Sequence, residues 1–150
     1  MDARSHYRET AVRGASPVRL VICLYEQAIE DLRRAIAALE KGDIEARTRS
    51  INHALTVIAH LQGSLDMQQG GEVAANLNRF YGLIRASLVE AHVKQSARIL
   101  EEQTSLLVTI HEAWLEVERT MAVPAAQFIA SGQAAPVLSA PQIPVADWNA

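Results

Sequence analysis

Four long stretches of this sequence repeat apolar residues at three- and four-residue steps, and this pattern restricts the fold more than any other feature. The stripes begin at Leu20, Ile44, Val73 and Ile99 and end at Leu39, Leu65, Ala91 and Met121, in that order. Such spacing is typical of a helix with one buried face, and no strand-like alternation interrupts it. Four helices joined by short loops predict an all-α fold, an antiparallel up-and-down four-helix bundle with the stripes inward.

Capping residues mark where these helices begin and end. Ser16 precedes Pro17 at the first predicted start, and Gly42 follows the last residue of the first helix. Asp43 can cap the second helix. Before the third helix stand Gly70 and Gly71, which we expect to permit a tight turn because a Cβ would restrict φ there.

The two ends of the chain differ in composition from the predicted bundle. We expect a flexible N-terminal arm over residues 1–15, the bundle over residues 16–121, and an Ala/Pro/Gln-rich tail over residues 122–150. This tail holds four of the five prolines and a single charged residue, Asp147. Such a composition predicts disorder.

Charge and cysteine content exclude several classes of protein. The net charge of −3 gives no basic footprint for nucleic acid. No apolar run is long enough to span a bilayer, and the N-terminal residues lack the apolar core of a signal peptide, so we expect a cytoplasmic protein without membrane insertion. The lone Cys23 excludes an internal disulfide.

The helices carry more apolar surface than four inward stripes require. The apolar arc of the first helix extends to Ile22, and Leu83 of the third helix falls outside its main stripe. A second, weaker seam follows the fourth helix through Ala97, Thr104, Val108 and Leu115. Either the bundle helices simply have wide faces, or a partner helix docks into an external groove. On the second interpretation, Val108→Glu or Leu115→Glu abolishes partner binding without lowering the melting temperature.

Histidines offer the only candidate chemistry. His53 and His60 lie opposite the apolar stripe of the second helix, and no Glu-x-x-His or HExxH pair occurs, so we predict neither a metal site nor a cofactor. An exposed His60 leaves a histidine-phosphotransfer protein as an alternative, although the lysine expected to follow the histidine is absent. No catalytic residue can be singled out, and we do not expect an enzyme.

Several runs of residues, in order, resemble a known family. Ala15–Leu20 with Leu24-Tyr25-Glu26 resembles the first helix of FliS, the flagellar export chaperone. The segment Leu65-Asp66, Gly70–Leu77, Phe80-Tyr81 is similar to the junction between the second and third helices of that family, and Glu112-Ala113-Trp114 matches its C-terminal half. The matching runs cover residues 7 to about 118.

The resemblance implies a chaperone that binds the C-terminal segment of flagellin, prevents premature polymerisation and aids secretion. It also implies an N-terminal arm that covers part of the binding surface, and Tyr7, which lies on no stripe, is a candidate plug. Asn76 either hydrogen-bonds the backbone of a partner or caps a local turn. An export-gate component or an anti-sigma factor would be a further partner. A helical homo-oligomerisation module, present as a weak homodimer, remains an alternative.

Overall fold

The computed structural model describes the backbone of residues 16–131 and the side chains of residues 16–121. Tyr7 and the rest of the predicted arm, together with residues 132–150, lie outside the described residues. Four helices make up the described chain: α1 (Pro17–Lys41), α2 (Ile44–Gly63), α3 (Gly71–Lys94) and α4 (Ala97–Ser131). The all-α prediction is confirmed, and none of the described helices is both long enough and apolar enough to cross a membrane.

The predicted caps of the first two helices form as expected. Ser16 Oγ accepts a hydrogen bond from the backbone N–H of Arg19 over 3.2 Å, and Asp43 Oδ1 accepts one from Ala46 over 3.0 Å. Gly42 closes α1 in the left-handed conformation, with φ +70°. These local contacts fix a short α1–α2 turn, and α2 packs along α1 over most of its length.

Each helix packs against its neighbours in chain order, and α4 returns to pack against α1. The core contains most of the predicted stripes, with large side chains such as Tyr25, Leu32, Ile58, Phe80, Ile84 and Leu107 fully or almost fully buried. Leu20 and Ile44, the first residues of two stripes, are instead 39% and 64% exposed. Tyr25 and Tyr81 share a hydrogen bond of 2.8 Å between their hydroxyl groups across the bundle, which joins α1 to α3. The arrangement is the predicted four-helix bundle.

Gly70, just before α3, and Gly71, its first residue, both permit the α2–α3 turn, but for different reasons. Gly71 has φ +56°, a conformation that side chains with a Cβ rarely adopt. Gly70 has an ordinary φ of −76°, but a Cβ there would lie 2.5 Å from the Cβ of Ala74 and 2.6 Å from the carbonyl oxygen of Asp66. A close approach of the chain, not the backbone angle, therefore requires Gly70.

The fourth helix continues past the predicted end at Met121 to Ser131. Alanine has the highest helix propensity, and Ala122, Ala125, Ala126 and Ala130 fall in this stretch. The segment assigned to the tail from its prolines therefore begins as helical backbone. Residues 122–131 belong to α4 in this structure.

Candidate partner-binding surface

Polar bridges between helices close three of the four seams on the outside of the bundle. At the α1–α2 seam, His53 Nδ1 lies 2.6 Å from Oδ2 of the buried Asp31. At the α2–α3 seam, Gln62 donates to Oδ1 of Asn78 over 2.9 Å and accepts from Arg85 over 3.0 Å. Each of these contacts ties two adjacent helices together above the core.

The α1–α4 seam carries a larger network. Arg19 Nε donates to Oε2 of Glu118 over 2.8 Å, and a second guanidinium nitrogen of Arg19 contacts the same carboxylate. This hydrogen bonding with Glu118 raises the pKa of Arg19. About two turns further along α1, Glu26 Oε1 lies 3.4 Å from Nε2 of His111. Charged side chains thus cover the seam at two levels.

The α3–α4 seam is different. Within residues 16–121, no side-chain hydrogen bond or ion pair joins α3 to α4. Two large apolar side chains are instead exposed beside it, Leu83 at 44% and Leu106 at 39%. A leucine so exposed on each of two neighbouring helices leaves apolar surface against which a partner helix could pack. We refer to the outer surface of α3 and α4 around Leu83 and Leu106 as the α3–α4 flank.

Helical geometry assigns Leu83 to this flank. Asn78 and Arg85 are seven residues apart and face α2 through Gln62. Asn76 and Leu83 each precede one of them by two residues, which turns them by about 200° to the other side of α3. Asn76 is half-buried. The predicted partner contacts Asn76 and Leu83 therefore lie on one face, toward α4.

The same argument places Leu106 on the side of α4 that faces α3. His111 and Glu118 are seven residues apart and contact α1. Ala113, two residues after His111, is turned by about 200° from it, and Leu106 is seven residues before Ala113. The sequence pattern assigned Leu106 to the core stripe of α4. Its position at the edge of that stripe was the signal that it would be half outside.

Thr104, Val108 and Leu115 lie on the opposite side of α4 from Leu106, beside the α1–α4 seam. All three are half-buried, and Val108 packs against the core. The Thr104 hydroxyl donates to the carbonyl oxygen of Leu100 in its own helix over 2.7 Å. The predicted contacts thus divide between two different surfaces, and Thr104, Val108 and Leu115 belong to the seam that the Arg19 network bridges.

Ile22 does not meet the expectation of an exposed partner contact. Its side chain is 0% exposed. Ile22 stands at the edge of the apolar arc of α1, and an edge residue becomes internal when the adjacent helix packs closely on that side, as α4 does here. The wide apolar arc of α1 is therefore explained by burial between neighbours, and Ile22 is not part of a partner surface.

The histidines differ in their surroundings. His60 is exposed, as predicted. His53 was expected to face solvent, and half of its side chain does, but its Nδ1 is bonded to Asp31. His111 is half-buried and contacts Glu26. In the described part of the chain, no three histidine, cysteine or acidic side chains come together as metal ligands would.

Comparison with known proteins identifies the family. A family model described as "Flagellar protein FliS" matches residues 1–121. The chain is 36% identical to the flagellar secretion chaperone FliS of Salmonella typhimurium over 73% of its own length and 82% of that protein. It is 32% identical to the flagellar secretion chaperone FliSB of Pseudomonas aeruginosa, over 76% of the chain and 94% of that protein. The chain therefore belongs to the FliS family of flagellar secretion chaperones.

Proposed function

We propose that this protein binds the disordered C-terminal region of flagellin in the cytoplasm, prevents its premature polymerisation and aids its secretion. Membership of the FliS family supports a role in flagellar export. The observation that carries the proposed mode of binding is the α3–α4 flank, with Leu83 and Leu106 exposed and unbridged by polar side chains. We infer that an amphipathic helix of flagellin lies along this flank.

The energetics favour an apolar groove for such a client. A disordered segment pays the cost of becoming ordered when it binds, so the contact must bury enough apolar area to offset that cost. Burial contributes about 25 cal/mol per Å² of apolar surface. Leu83 and Leu106 already face solvent, so a client helix can cover them without rearranging the bundle.

Polar seams fit this role less well. A client helix at the α1–α4 seam would have to displace or cover Arg19, Glu118, Glu26 and His111. Charged groups that lose water without gaining a partner reduce affinity. Binding at Val108 and Leu115 therefore remains a second proposal. The phosphotransfer alternative rests on the exposure of His60 alone, and the FliS relatives give it no support.

A calorimetric titration with a flagellin C-terminal fragment tests the proposal. We expect saturable 1:1 binding, with a negative heat-capacity change from apolar burial. A scrambled peptide of the same composition is the control for non-specific attraction. Absence of binding at about tens of micromolar, equivalent to roughly 6–7 kcal/mol of binding free energy, would contradict it.

A pair of variants on α4 tests the location. Leu106→Glu places a carboxylate in the groove and should weaken binding by about tenfold or more, because an unpaired charge would be covered by the client. Ser105→Glu is the matched control, because Ser105 is exposed and is turned by about 100° from Leu106 toward the outer side of α4, and this variant should bind like the wild type. Equal loss of affinity in both variants would show that net charge, not the groove, controls binding.

A further inference from the structure

An open cavity of about 360 Å³ lies at the end of the bundle where α2 turns into α3. Val21 of α1, Leu65 of the turn, Val73 and Leu77 of α3 and Trp114 of α4 line it. For scale, an apolar cavity of about 150 Å³ in another protein holds a benzene molecule. This cavity therefore has room for one aromatic or long aliphatic side chain.

Four of the apolar side chains around the cavity are only partly buried. Val21, Leu65, Val73 and Trp114 are half-buried, and all four pack against the core with one side. An apolar group inserted among them would cover surface that the bundle itself leaves in contact with water. Such an insertion adds apolar burial. The polar residues Ser64 and Asp66 of the wall already form hydrogen bonds within the α2–α3 turn.

Trp114 adds a polar feature to this wall. Its Nε1–H is buried and makes no hydrogen bond of acceptable geometry. The nearest acceptor is the Tyr25 hydroxyl, which is bonded to Tyr81 and lies close enough to the indole for Trp114 to affect the pKa of Tyr25. The indole N–H is thus enclosed by the bundle, and Trp114 offers a ligand in the cavity its apolar ring.

From the positions of its lining residues along α3 and α4, we expect the cavity to adjoin the α3–α4 flank. Val73 precedes Asn76 of the flank by three residues on α3, and Trp114 directly follows Ala113 on α4. A helix lying along Leu83 and Leu106 toward the α2–α3 turn would reach the cavity with its next turns. One bound segment would then occupy both the flank and the cavity.

We propose that this cavity is an anchor pocket that receives one bulky apolar side chain, aromatic or long aliphatic, from the segment bound along the α3–α4 flank. This inference rests on the proposed function, since it specifies which part of the client determines specificity.

Filling the pocket is the direct test. In Val73→Phe the larger side chain occupies the cavity, and we expect the affinity for the flagellin C-terminal fragment to fall by about tenfold or more while the melting temperature stays the same or rises. Val89→Phe is the matched control, because Val89 lies on α3 near Arg85, away from the pocket, and is 51% exposed. This control should bind normally.

A peptide scan identifies the anchor. Each large apolar residue of the fragment is replaced by alanine in turn, and one replacement should weaken binding to the wild type by about tenfold or more but have little further effect on Val73→Phe. If Val73→Phe binds every peptide as tightly as the wild type while Leu106→Glu does not, the anchor pocket is refuted and the flank stands. If the wild type binds no peptide, the proposed function itself fails.

The indole N–H signal of Trp114 gives a readout that does not depend on a variant that fills the pocket. The chain has two tryptophans, and Trp148→Phe assigns the ¹H–¹⁵N indole signals. The wild-type fragment should shift the Trp114 signal, because the anchor side chain would lie against the indole ring, and the peptide without its anchor should leave the signal nearly unchanged. A Trp114 signal that does not shift at a saturating concentration of the fragment would overturn the proposal. The pocket would then be one that only residues of this chain contact.

Discussion

The side of α4 that faces α1 and the side that faces α3 differ in how their seams are covered. Toward α1, Glu118 and His111 are joined to Arg19 and Glu26, and the apolar residues nearby are half-buried. Toward α3, the described structure has no polar bridge, and Leu106 is exposed opposite a neighbour that exposes Leu83. A bridged seam holds its helices in register, whereas an unbridged apolar seam leaves surface for a third helix. The difference supports our proposal that the α3–α4 flank binds the client.

Leu83→Glu should have the largest effect on this distinction. We expect the affinity for the flagellin fragment to fall by about 100-fold, close to 3 kcal/mol, because the carboxylate would be covered without a partner. The free energy of unfolding should change by less than about 0.5 kcal/mol, since the site is exposed. Val93→Glu, at a 75% exposed position on the outer side of α3, is the control and should leave the affinity unchanged.

Val108→Glu tests the opposite side of α4. Because Val108 packs against the core, a carboxylate there should lower the free energy of unfolding by about 2 kcal/mol, measured by urea denaturation. The folded fraction should still bind the fragment normally. The sequence pattern alone predicted the reverse, loss of binding at constant melting temperature, and that result would transfer the client to the α1–α4 seam.

The sequence predicted the helices and missed the contacts between them, for a physical reason. The apolar stripes and the helix caps Ser16 and Asp43 depend on residues that are only a few positions apart in sequence, so periodicity and capping rules locate them. The pairing of Asp31 with His53, or of Arg19 with Glu118, depends on which helices become neighbours and at what height. Local sequence patterns specify neither which helices become neighbours nor the height at which their side chains meet.

The candidate surface was predictable in part for the same reason. The projection of each helix correctly indicated more apolar surface than one core needs, and it placed Leu83 outside the stripe of α3. It could not distinguish an edge residue that a neighbour covers, such as Ile22, from one that stays exposed, such as Leu106. That distinction depends on how closely adjacent helices approach.

Alkaline pH should weaken the core that both sides of α4 share. Burial raises the pKa of Tyr81 to about 12, and it raises the pKa of Tyr25 well above its usual value. In the unfolded chain both tyrosines titrate at about 10. The free energy of unfolding therefore keeps its full value below that pH and falls as the pH rises from about 10 toward 12.

Tyr81→Phe isolates this effect. At neutral pH it should cost about 1–2 kcal/mol, because the buried Tyr25 hydroxyl loses its partner. Thermal unfolding measured between pH 8 and 11 should then show a shallower decline above pH 10 than in the wild type, since one of the two perturbed groups is gone. An identical decline in both proteins would mean that these tyrosines do not control alkaline stability.

Arg19→Ala should have the smallest effect. The bridge to Glu118 is partly exposed, so its loss should cost less than about 1 kcal/mol of stability, and the cost should shrink further in high salt. Binding of the flagellin fragment should not change. Weakened binding at constant stability would show that the bridged seam also contacts the client.

Methyl NMR of the protein bound to the flagellin fragment tests the central claim most directly, because it reports where the client lies without any substitution. With leucine and valine methyl groups labelled, intermolecular contacts should appear at Leu83 and Leu106 and be absent at Val108 and Leu115. Contacts confined to Val108 and Leu115 would contradict the assignment of the client to the α3–α4 flank.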